Sequence, residues 1–89
     1  MNIKIEFKIH SRCPVDDALD IYDVTVRSNE IIKIEEIKSL VTNWTQNLDY
    51  KTFQEKLTEH LYIMLSETRQ SVSVETVGYH SGIKLTVKV

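Results

Sequence analysis

The sequence has few of the residues that interrupt regular structure, since its 89 residues include one proline and two glycines. A glycine-rich phosphate loop is therefore excluded, and with it the dinucleotide-binding and P-loop folds. A single cysteine, Cys13, excludes an internal disulfide and is typical of the cytoplasm. No apolar run approaches the roughly 20 residues of a membrane span, and the N-terminus is not expected to be a signal peptide.

A strong excess of charge is also absent, because 11 basic and 13 acidic residues leave a net charge of −2. The chain therefore has no general attraction for nucleic acid, and a role with RNA requires a local basic face. The sequence is 42% hydrophobic and 27% charged, which is typical of a globular protein. Its length is that of one domain, which we expect to span residues 1–89.

Four segments alternate apolar and polar residues with a period of two, which predicts β-strands with one buried face. They lie at about residues 3–10, 21–27, 72–77 and 83–89. The loop 12–20 joins the first two strands and the turn 78–82 joins the last two. Both pairs are therefore expected to form antiparallel hairpins.

Two segments between the hairpins repeat apolar residues at three- and four-residue steps, which predicts helices over about 34–45 and 50–68. The predicted order is ββααββ, and the predicted fold class is α+β, with two helices on one face of a four-stranded antiparallel sheet. The opposite face of the sheet is expected to be polar and mostly basic. It would carry Lys4, Lys8, Lys84 and Lys88 with Glu6 and Thr86.

Cys13 lies at the end of the first strand, where a thiol is less buried than in a core. The neighbouring Arg12 favours the thiolate, which is the reactive form. Asp20 lies where the loop enters the second strand, so a hairpin brings it near Cys13 and lets it take and return the thiol proton. The alternative is a small core cysteine, with Asp16, Asp17 and Asp20 serving only to solvate the loop.

Three glutamates and the histidines also have alternative interpretations. Glu55 can accept two hydrogen bonds from a purine-like edge, or it can close a capping box with Thr52, with Asp49 as a competing cap. Glu35 and Glu36 open the first helix, where acidic side chains offset the helix dipole. A zinc site is disfavoured because the possible ligands match no compact motif. Those ligands are Cys13, His10, His60 and His80.

Several short motifs, in register with one another, resemble the QueF family. This family contains the nitrile reductases of 7-cyano-7-deazaguanine (preQ0) and their archaeal relatives of the tunnelling fold. The motifs are Cys13-Pro14-Val15, Asp20, Glu36-x-Lys38-Ser39-Leu40, Phe53-x-Glu55 and Gly78. The resemblance extends from Phe7 to Ile83 and implies the same ββααββ order.

The resemblance implies a role for each matching residue. Cys13 matches the nucleophile that adds to the nitrile carbon and forms a covalent thioimide. Asp20 matches the acid that protonates the nitrile nitrogen, and Glu55 matches the carboxylate that holds the deazaguanine base. Gln54 stands where the family has a histidine, and it is expected to contact the substrate as well.

The start of the first helix matches two features of the family. Glu36, with its neighbours Glu35 and Ile37, matches a helix start that contacts the substrate. The reductases continue this segment into a nicotinamide-cofactor motif, Glu-x-Lys-Ser-x-Lys-Leu-Tyr. In this sequence the basic and aromatic end of that motif is replaced by Val41, Thr42 and Asn43. The resemblance therefore implies an enzyme without a cofactor.

A short family member without the cofactor motif looks like the archaeal QueF-like amidinotransferases. These act on preQ0 already inserted in tRNA, where ammonia rather than hydride attacks the thioimide and yields archaeosine. The resemblance implies a cytoplasmic enzyme with tRNA and ammonia as partners, assembled as a homo-oligomer of stacked rings and without a membrane partner. The alternatives are an NADPH-dependent preQ0 nitrile reductase and a non-catalytic ring-forming module.

Overall fold

A computed structural model describes residues 1–46 and 51–89 of the chain. Its elements are β1 (Ile3–Arg12), β2 (Leu19–Ser28), α1 (Ile34–Gln46), α2 (Gln54–Ser66), β3 (Val72–His80) and β4 (Ile83–Lys88). The predicted ββααββ order and the α+β class are confirmed. The strands are rich in β-branched residues, whose stiff side chains suit a pleated surface.

The four strands form one sheet in the order β1-β2-β3-β4, and every neighbouring pair is antiparallel. The last turn is shorter than the predicted 78–82, because Ser81 and Gly82 alone make it, with φ of 53° and 80°. A two-residue turn of this kind needs positive φ at both positions, which glycine adopts freely. Gly78 and His80 therefore remain inside β3.

The loop of the first hairpin is also shorter than the predicted 12–20, because β1 and β2 pair as far as Arg12 and Leu19. The backbone N–H of Cys13 donates to Ala18 O at 2.8 Å, and that of Asp17 donates to Cys13 O at 2.9 Å. These bonds extend the hairpin beyond the last strand pair. Cys13 is therefore held by backbone bonds at the end of the sheet.

Both helices pack on one face of the sheet and leave the other face to solvent, as predicted. The core consists of the inward side chains of the strands and one stripe of each helix. Burying a leucine or isoleucine in this way contributes about 1.5–3 kcal/mol to folding. The core residues include Ile9, Tyr22, Val24, Val26 and Val74 from the sheet and Ile37, Leu40, Leu57, Leu61 and Leu65 from the helices.

The start of α2 differs from the prediction. The helix begins at Gln54, with Phe53 as an N-cap that makes no side-chain capping bond. The hydroxyl of Thr52 donates to Phe53 O at 3.4 Å instead, so the capping box with Glu55 is wrong. The competing cap Asp49 and the rest of 47–50 lie outside the described residues.

The late start of α2 has a structural cause. Lys51 forms a parallel bridge with Arg12 of β1, and the N–H of Thr52 donates to Arg12 O at 3.2 Å. Lys51 and Thr52 therefore run beside the end of β1. This arrangement brings the first turn of α2 next to the hairpin that carries Cys13.

The solvent face of the sheet is polar, and most of its charged side chains are basic, as predicted. Lys8 forms a 2.5 Å ion pair with Asp23 of the neighbouring strand, and Lys88 lies opposite Glu75. The two central strands add Arg27 as well as Asp23 and Glu75, so five lysines and arginines share this face with three carboxylates.

Candidate active site

A cavity of about 410 Å³ lies where the two hairpins and the start of α2 meet. We call it the Cys13 cavity. Its volume is within the range of sites that bind small molecules. Its walls are Cys13, Pro14, Asp20 and Tyr22 from the first hairpin, Thr52, Phe53, Gln54 and Glu55 from the start of α2, and His80, Ile83, Lys84 and Leu85 from the second hairpin.

Strand register explains why these side chains converge. Residues that lie opposite one another in an antiparallel pair project on the same side of the sheet. Asp20 lies opposite Ser11, which is buried on the helix side, so Asp20 also projects toward the helices. α2 covers the middle of this face and begins only at Gln54. The end of the sheet therefore remains open as a cavity.

The Cys13 thiol is half-buried and has a carboxylate beside it. The thiol hydrogen-bonds the side chain of Asp16, whose Oδ1 also accepts the N–H of Ala18 at 3.0 Å. These two bonds, first the one from Ala18 and then the one from Cys13, lower the pKa of Asp16 below its usual value. Sequence reasoning considered Asp16 only as a solvating residue, yet it lies next to the thiol.

Asp20 is oriented by a tyrosine two residues further along β2. The hydroxyl of Tyr22 donates to Oδ2 of Asp20 at 3.3 Å. Tyr22 is fully buried, and burial followed by the charge of Asp20 raises its pKa above the usual value. The phenol therefore stays protonated and remains a donor to the carboxylate. The spacing of two residues along one strand was the signal that they share a face.

Gln54 joins α2 to both strands of the second hairpin. It is 1% exposed, and its Nε2 donates to Thr76 O at 3.1 Å and to Leu85 O at 3.0 Å. Its Oε1 lies 3.0 Å from Nε2 of His80. A buried amide with all its polar atoms paired holds its neighbours in one arrangement.

The mouth of the Cys13 cavity is apolar, whereas its floor is polar. Phe53 and Ile83 line it, and they are 53% and 70% exposed. Glu55 lies on the first turn of α2, close enough to Tyr22 for its charge to raise the pKa of that phenol. The cavity thus offers apolar walls for a planar ring and a carboxylate for the polar edge of that ring.

The other predicted site residues lie elsewhere in the chain. Glu36 makes a two-pronged ion pair with Arg69, at 2.7 and 3.0 Å, beyond the C-terminal end of α2. That end lies about 20 Å along the helix from Gln54. Ile37 is in the core, and Glu35 is exposed on the same first turn of α1. The structure therefore does not bring these three residues to the Cys13 cavity of their own chain.

The three histidines are also separated. His80 lies in the Cys13 cavity, and His60 packs against Trp44 with ring centroids 5.8 Å apart. His10 is exposed on β1. Within residues 1–46 and 51–89, no group of three or more potential metal ligands occurs.

A larger groove of about 520 Å³ lies at the opposite end of the sheet. It is lined by the start of β1, the end of β2 and residues 70–73, and its side chains are mainly amides, hydroxyls and two cations. The groove contains no nucleophile of the Cys13 type. The reactive groups therefore lie together in the smaller cavity.

The fold and the cavity define a class of protein, namely a ββααββ domain with a thiol and a carboxyl at one end of its four-stranded sheet. Among solved structures, the chain is similar to the archaeosine synthase QueF-Like in its apo crystal form, with a TM-score of 0.84. The match covers 99% of this chain and 90% of that chain at 20% sequence identity. This likeness confirms the fold that the QueF resemblance implied.

Comparison of the sequence with family models and with curated proteins finds no match. In the part of the chain that the structure describes, no helix has both the length and the apolar character needed to cross a membrane.

Proposed function

We propose that this chain is a QueF-like amidinotransferase that converts preQ0 in tRNA to archaeosine. One observation carries the proposal: the Cys13 thiol and the Asp20 carboxyl line a single cavity of suitable size. Glu55 lies in the wall of the same cavity, within the fold of an archaeosine synthase. The residues that the QueF resemblance assigned to the nucleophile, the acid and the base holder are therefore together.

In the first step Cys13 adds to the nitrile carbon of the bound base. The thiol gives its proton to Asp20, and the sulfur forms a bond to carbon as one C–N π bond breaks. Asp20 returns the proton to the nitrile nitrogen, which leaves a neutral thioimide. Tyr22 donates a hydrogen bond to Asp20 and keeps its carboxyl oriented during this exchange.

In the second step ammonia attacks the thioimide carbon and the sulfur leaves. The products are an amidine and the free Cys13 thiol, so nitrile plus ammonia gives amidine without oxidation or reduction. Two easier additions replace one difficult addition. No cofactor takes part, in keeping with the replacement of the nicotinamide motif at 41–43.

Glu55 and the apolar walls of the Cys13 cavity recognise the base. Glu55 accepts two hydrogen bonds from the deazaguanine edge, and the flat ring lies between Phe53 and Ile83. Gln54 contributes through the arrangement that it imposes on the floor. A base inside a folded tRNA has to leave its stack to reach such a cavity, because enzymes that modify bases act on flipped or unpaired nucleotides.

The substrate role of Glu35, Glu36 and Ile37 requires a second copy of the chain. Within one chain, Glu36 pairs with Arg69 beyond the far end of α2, which lies about 20 Å along the helix from Gln54. Both β1 and β4 are edges of the described sheet, so copies can assemble side by side into a ring and place an α1 start near the next cavity. We include this homo-oligomer, stacked as rings, in the proposal. It would act in the cytoplasm, where its tRNA partner is found.

The test is the reaction itself. Purified protein, tRNA carrying preQ0 and ammonium should yield archaeosine in digested tRNA, without added NADPH, and Cys13→Ala should abolish the product. Asp20→Asn should slow it about 100-fold or more, as expected for loss of a proton donor. Asp23→Asn is the matched control, because Asp23 lies on the solvent face of the sheet, and it should leave the rate unchanged.

Three results would reject the proposal. An active Cys13→Ala variant would remove the thioimide mechanism. Oxidation of NADPH that depends on free preQ0, with no archaeosine from tRNA, would instead favour the nitrile reductase. If neither reaction occurs and preQ0 does not bind, the non-catalytic ring-forming module becomes the better interpretation.

A further inference from the structure

A histidine that the proposed reaction does not use lies in the wall of the Cys13 cavity. His80 ends β3, and its Nε2 lies 3.0 Å from Oε1 of Gln54. Its ring also packs against the ring of Tyr22, with centroids 5.9 Å apart and planes inclined by 46°. The imidazole is therefore held from two sides, in the same cavity as the thiol and the carboxyl.

The orientation of the Gln54 amide fixes which nitrogen of His80 carries a proton. The amide nitrogen of Gln54 lies 3.1 Å from Thr76 O and 3.0 Å from Leu85 O. Carbonyl oxygens only accept hydrogen bonds, so the NH₂ group must face them and Oε1 must face the histidine. That oxygen likewise only accepts. His80 therefore carries a proton on Nε2 and donates it to Gln54.

The hydroxyls around Gln54 agree with this assignment. Thr58 donates to Gln54 O at 2.8 Å, and its oxygen lies 2.5 Å from the hydroxyl oxygen of Thr76. Since the Thr58 proton is already used, Thr76 donates to Thr58, and its own oxygen is left to accept from Gln54 at 3.1 Å. The two protons of the Gln54 amide nitrogen face three oxygens, so one proton is shared between two acceptors, and nothing in this arrangement requires the amide to be reversed.

The fixed tautomer gives the second ring nitrogen of His80 a defined property. In a neutral imidazole with a proton on Nε2, Nδ1 has a free lone pair and accepts a proton. Among the residues that the structure describes, Nδ1 has no hydrogen-bond partner. His80 lines the Cys13 cavity, where a bound group can reach its ring.

We propose that Nδ1 of His80 accepts the proton that ammonia gives up when it attacks the thioimide, and that Gln54 is the residue that positions the histidine. This inference rests on the proposed function. Asp20 is ionised both before and after the first step. The proton that it takes from Cys13 ends on the former nitrile nitrogen. The second step creates a positively charged nitrogen that has to lose a proton. Asp20 already accepts a hydrogen bond from Tyr22, whereas Nδ1 of His80, in the wall of the same cavity, has its lone pair free.

The proton and electron balance of the second step is complete with this base. The lone pair of ammonia bonds to the thioimide carbon, and the π pair of the C=N bond moves onto the imide nitrogen. The new ammonium nitrogen gives one proton to Nδ1. The pair on the imide nitrogen then re-forms the C=N bond as the C–S bond breaks toward sulfur. The imidazolium returns its proton to the Cys13 sulfur, which restores the thiol and the neutral histidine.

The experiment separates the two chemical steps. Protein is mixed with preQ0-tRNA without ammonium, and the covalent adduct is followed by gel shift and mass. Ammonium is then added, and the loss of adduct is timed against the appearance of archaeosine. His80→Asn should form the adduct at the wild-type rate and clear it about 100-fold or more slowly, the usual effect of losing a general base.

The matched control is His60→Asn, because His60 packs against Trp44 and does not line the Cys13 cavity. It should behave as the wild type in both steps. If the wild type forms no adduct, the proposed function fails and this inference with it. If the wild type forms the adduct and His80→Asn clears it at the wild-type rate, or loses adduct formation instead, the role of His80 alone is overturned.

A second measurement uses the unchanged protein and does not depend on any variant folding. Two-dimensional ¹⁵N–¹H NMR of histidine-labelled protein distinguishes the two neutral tautomers by their nitrogen shifts. The His80 signals, assigned with His80→Asn or from neighbouring resonances, should show the proton on Nε2. A proton on Nδ1 would overturn the inference, because that nitrogen then has no lone pair to accept with.

Discussion

At Gly78 the lack of a side chain leaves room for two other residues that shape the candidate site. A Cβ at this position would lie 2.5 Å from Cε1 of Tyr22 and 2.9 Å from Oε1 of Gln54. Real Cβ atoms essentially never make contacts this short, so an added Cβ would force Tyr22 and Gln54 to move. The residue that orients Asp20 and the residue that holds His80 therefore both depend on this glycine.

Gly78→Ala should consequently disturb both the stability and the site. We expect a loss of about 1–3 kcal/mol in the free energy of unfolding, as is usual for overpacking, measured by urea denaturation. The yield of archaeosine should fall as well. Thr86→Ala is the control, since Thr86 is exposed on β4, and it should stay within about 0.5 kcal/mol of the wild type. Equal stability of the Gly78→Ala variant and the wild type would contradict this packing.

The carboxylate beside Cys13 gives a second prediction for a single residue. Asp16 accepts a hydrogen bond from the thiol, so its carboxylate occupies one side of the sulfur that an alkylating reagent has to approach. Asp16→Ala should therefore raise the rate of Cys13 alkylation by iodoacetamide at neutral pH, by several-fold. Asp23→Ala provides the control on the solvent face. A slower or unchanged rate would show that Asp16 does not restrain the thiol.

At the level of elements, alternation and helical periodicity were enough to predict the order, the hairpins and the side of the sheet that the helices cover. The boundaries were less predictable where contacts distant in sequence decide them. The start of α2 depends on the bridge between Lys51 and Arg12, which no local pattern indicates. The shorter second turn depends on positive φ at Ser81, a residue type that rarely adopts it.

The sequence also indicated only part of the candidate site. The hairpin rule brought Cys13 and Asp20 together, and the QueF resemblance indicated Glu55. Tyr22, His80 and the thiol partner Asp16 came only from the structure, because they reach the cavity through strand pairing and loop geometry. The resemblance also indicated the start of α1, which lies far from the cavity of the same chain.

Gln54 links α2 to β3 and β4, so its replacement tests how the elements are joined. Gln54→Leu has a similar volume but leaves the carbonyls of Thr76 and Leu85 without this donor. We expect a loss of about 2 kcal/mol or more in the free energy of unfolding, because buried polar groups without partners are costly. Gln70→Leu, at an exposed glutamine, should stay within about 0.5 kcal/mol of the wild type.

For the whole molecule, the position of Glu36 leads to a prediction about assembly. If the α1 start of one copy serves the cavity of the next, Cys13→Ala and Glu36→Gln affect different subunits of one site. Co-expressed subunits of the two variants should then regain activity, at about a quarter of the sites in a random mixture around a ring. Homogeneous preparations of either variant should be inactive or strongly impaired. A mixture no more active than its separate components would place the whole site within one chain.

The central claim is that the sulfur of Cys13 bonds to the nitrile carbon of preQ0. The most direct measurement is the intact mass of the protein after incubation with preQ0, free or in tRNA trimmed by nuclease, in the absence of ammonium. A thioimide at Cys13 gives a mass increase equal to the bound nitrile, mapped to the peptide that contains Cys13 and absent from Cys13→Ala. An unmodified protein under conditions where preQ0 is shown to bind would contradict it.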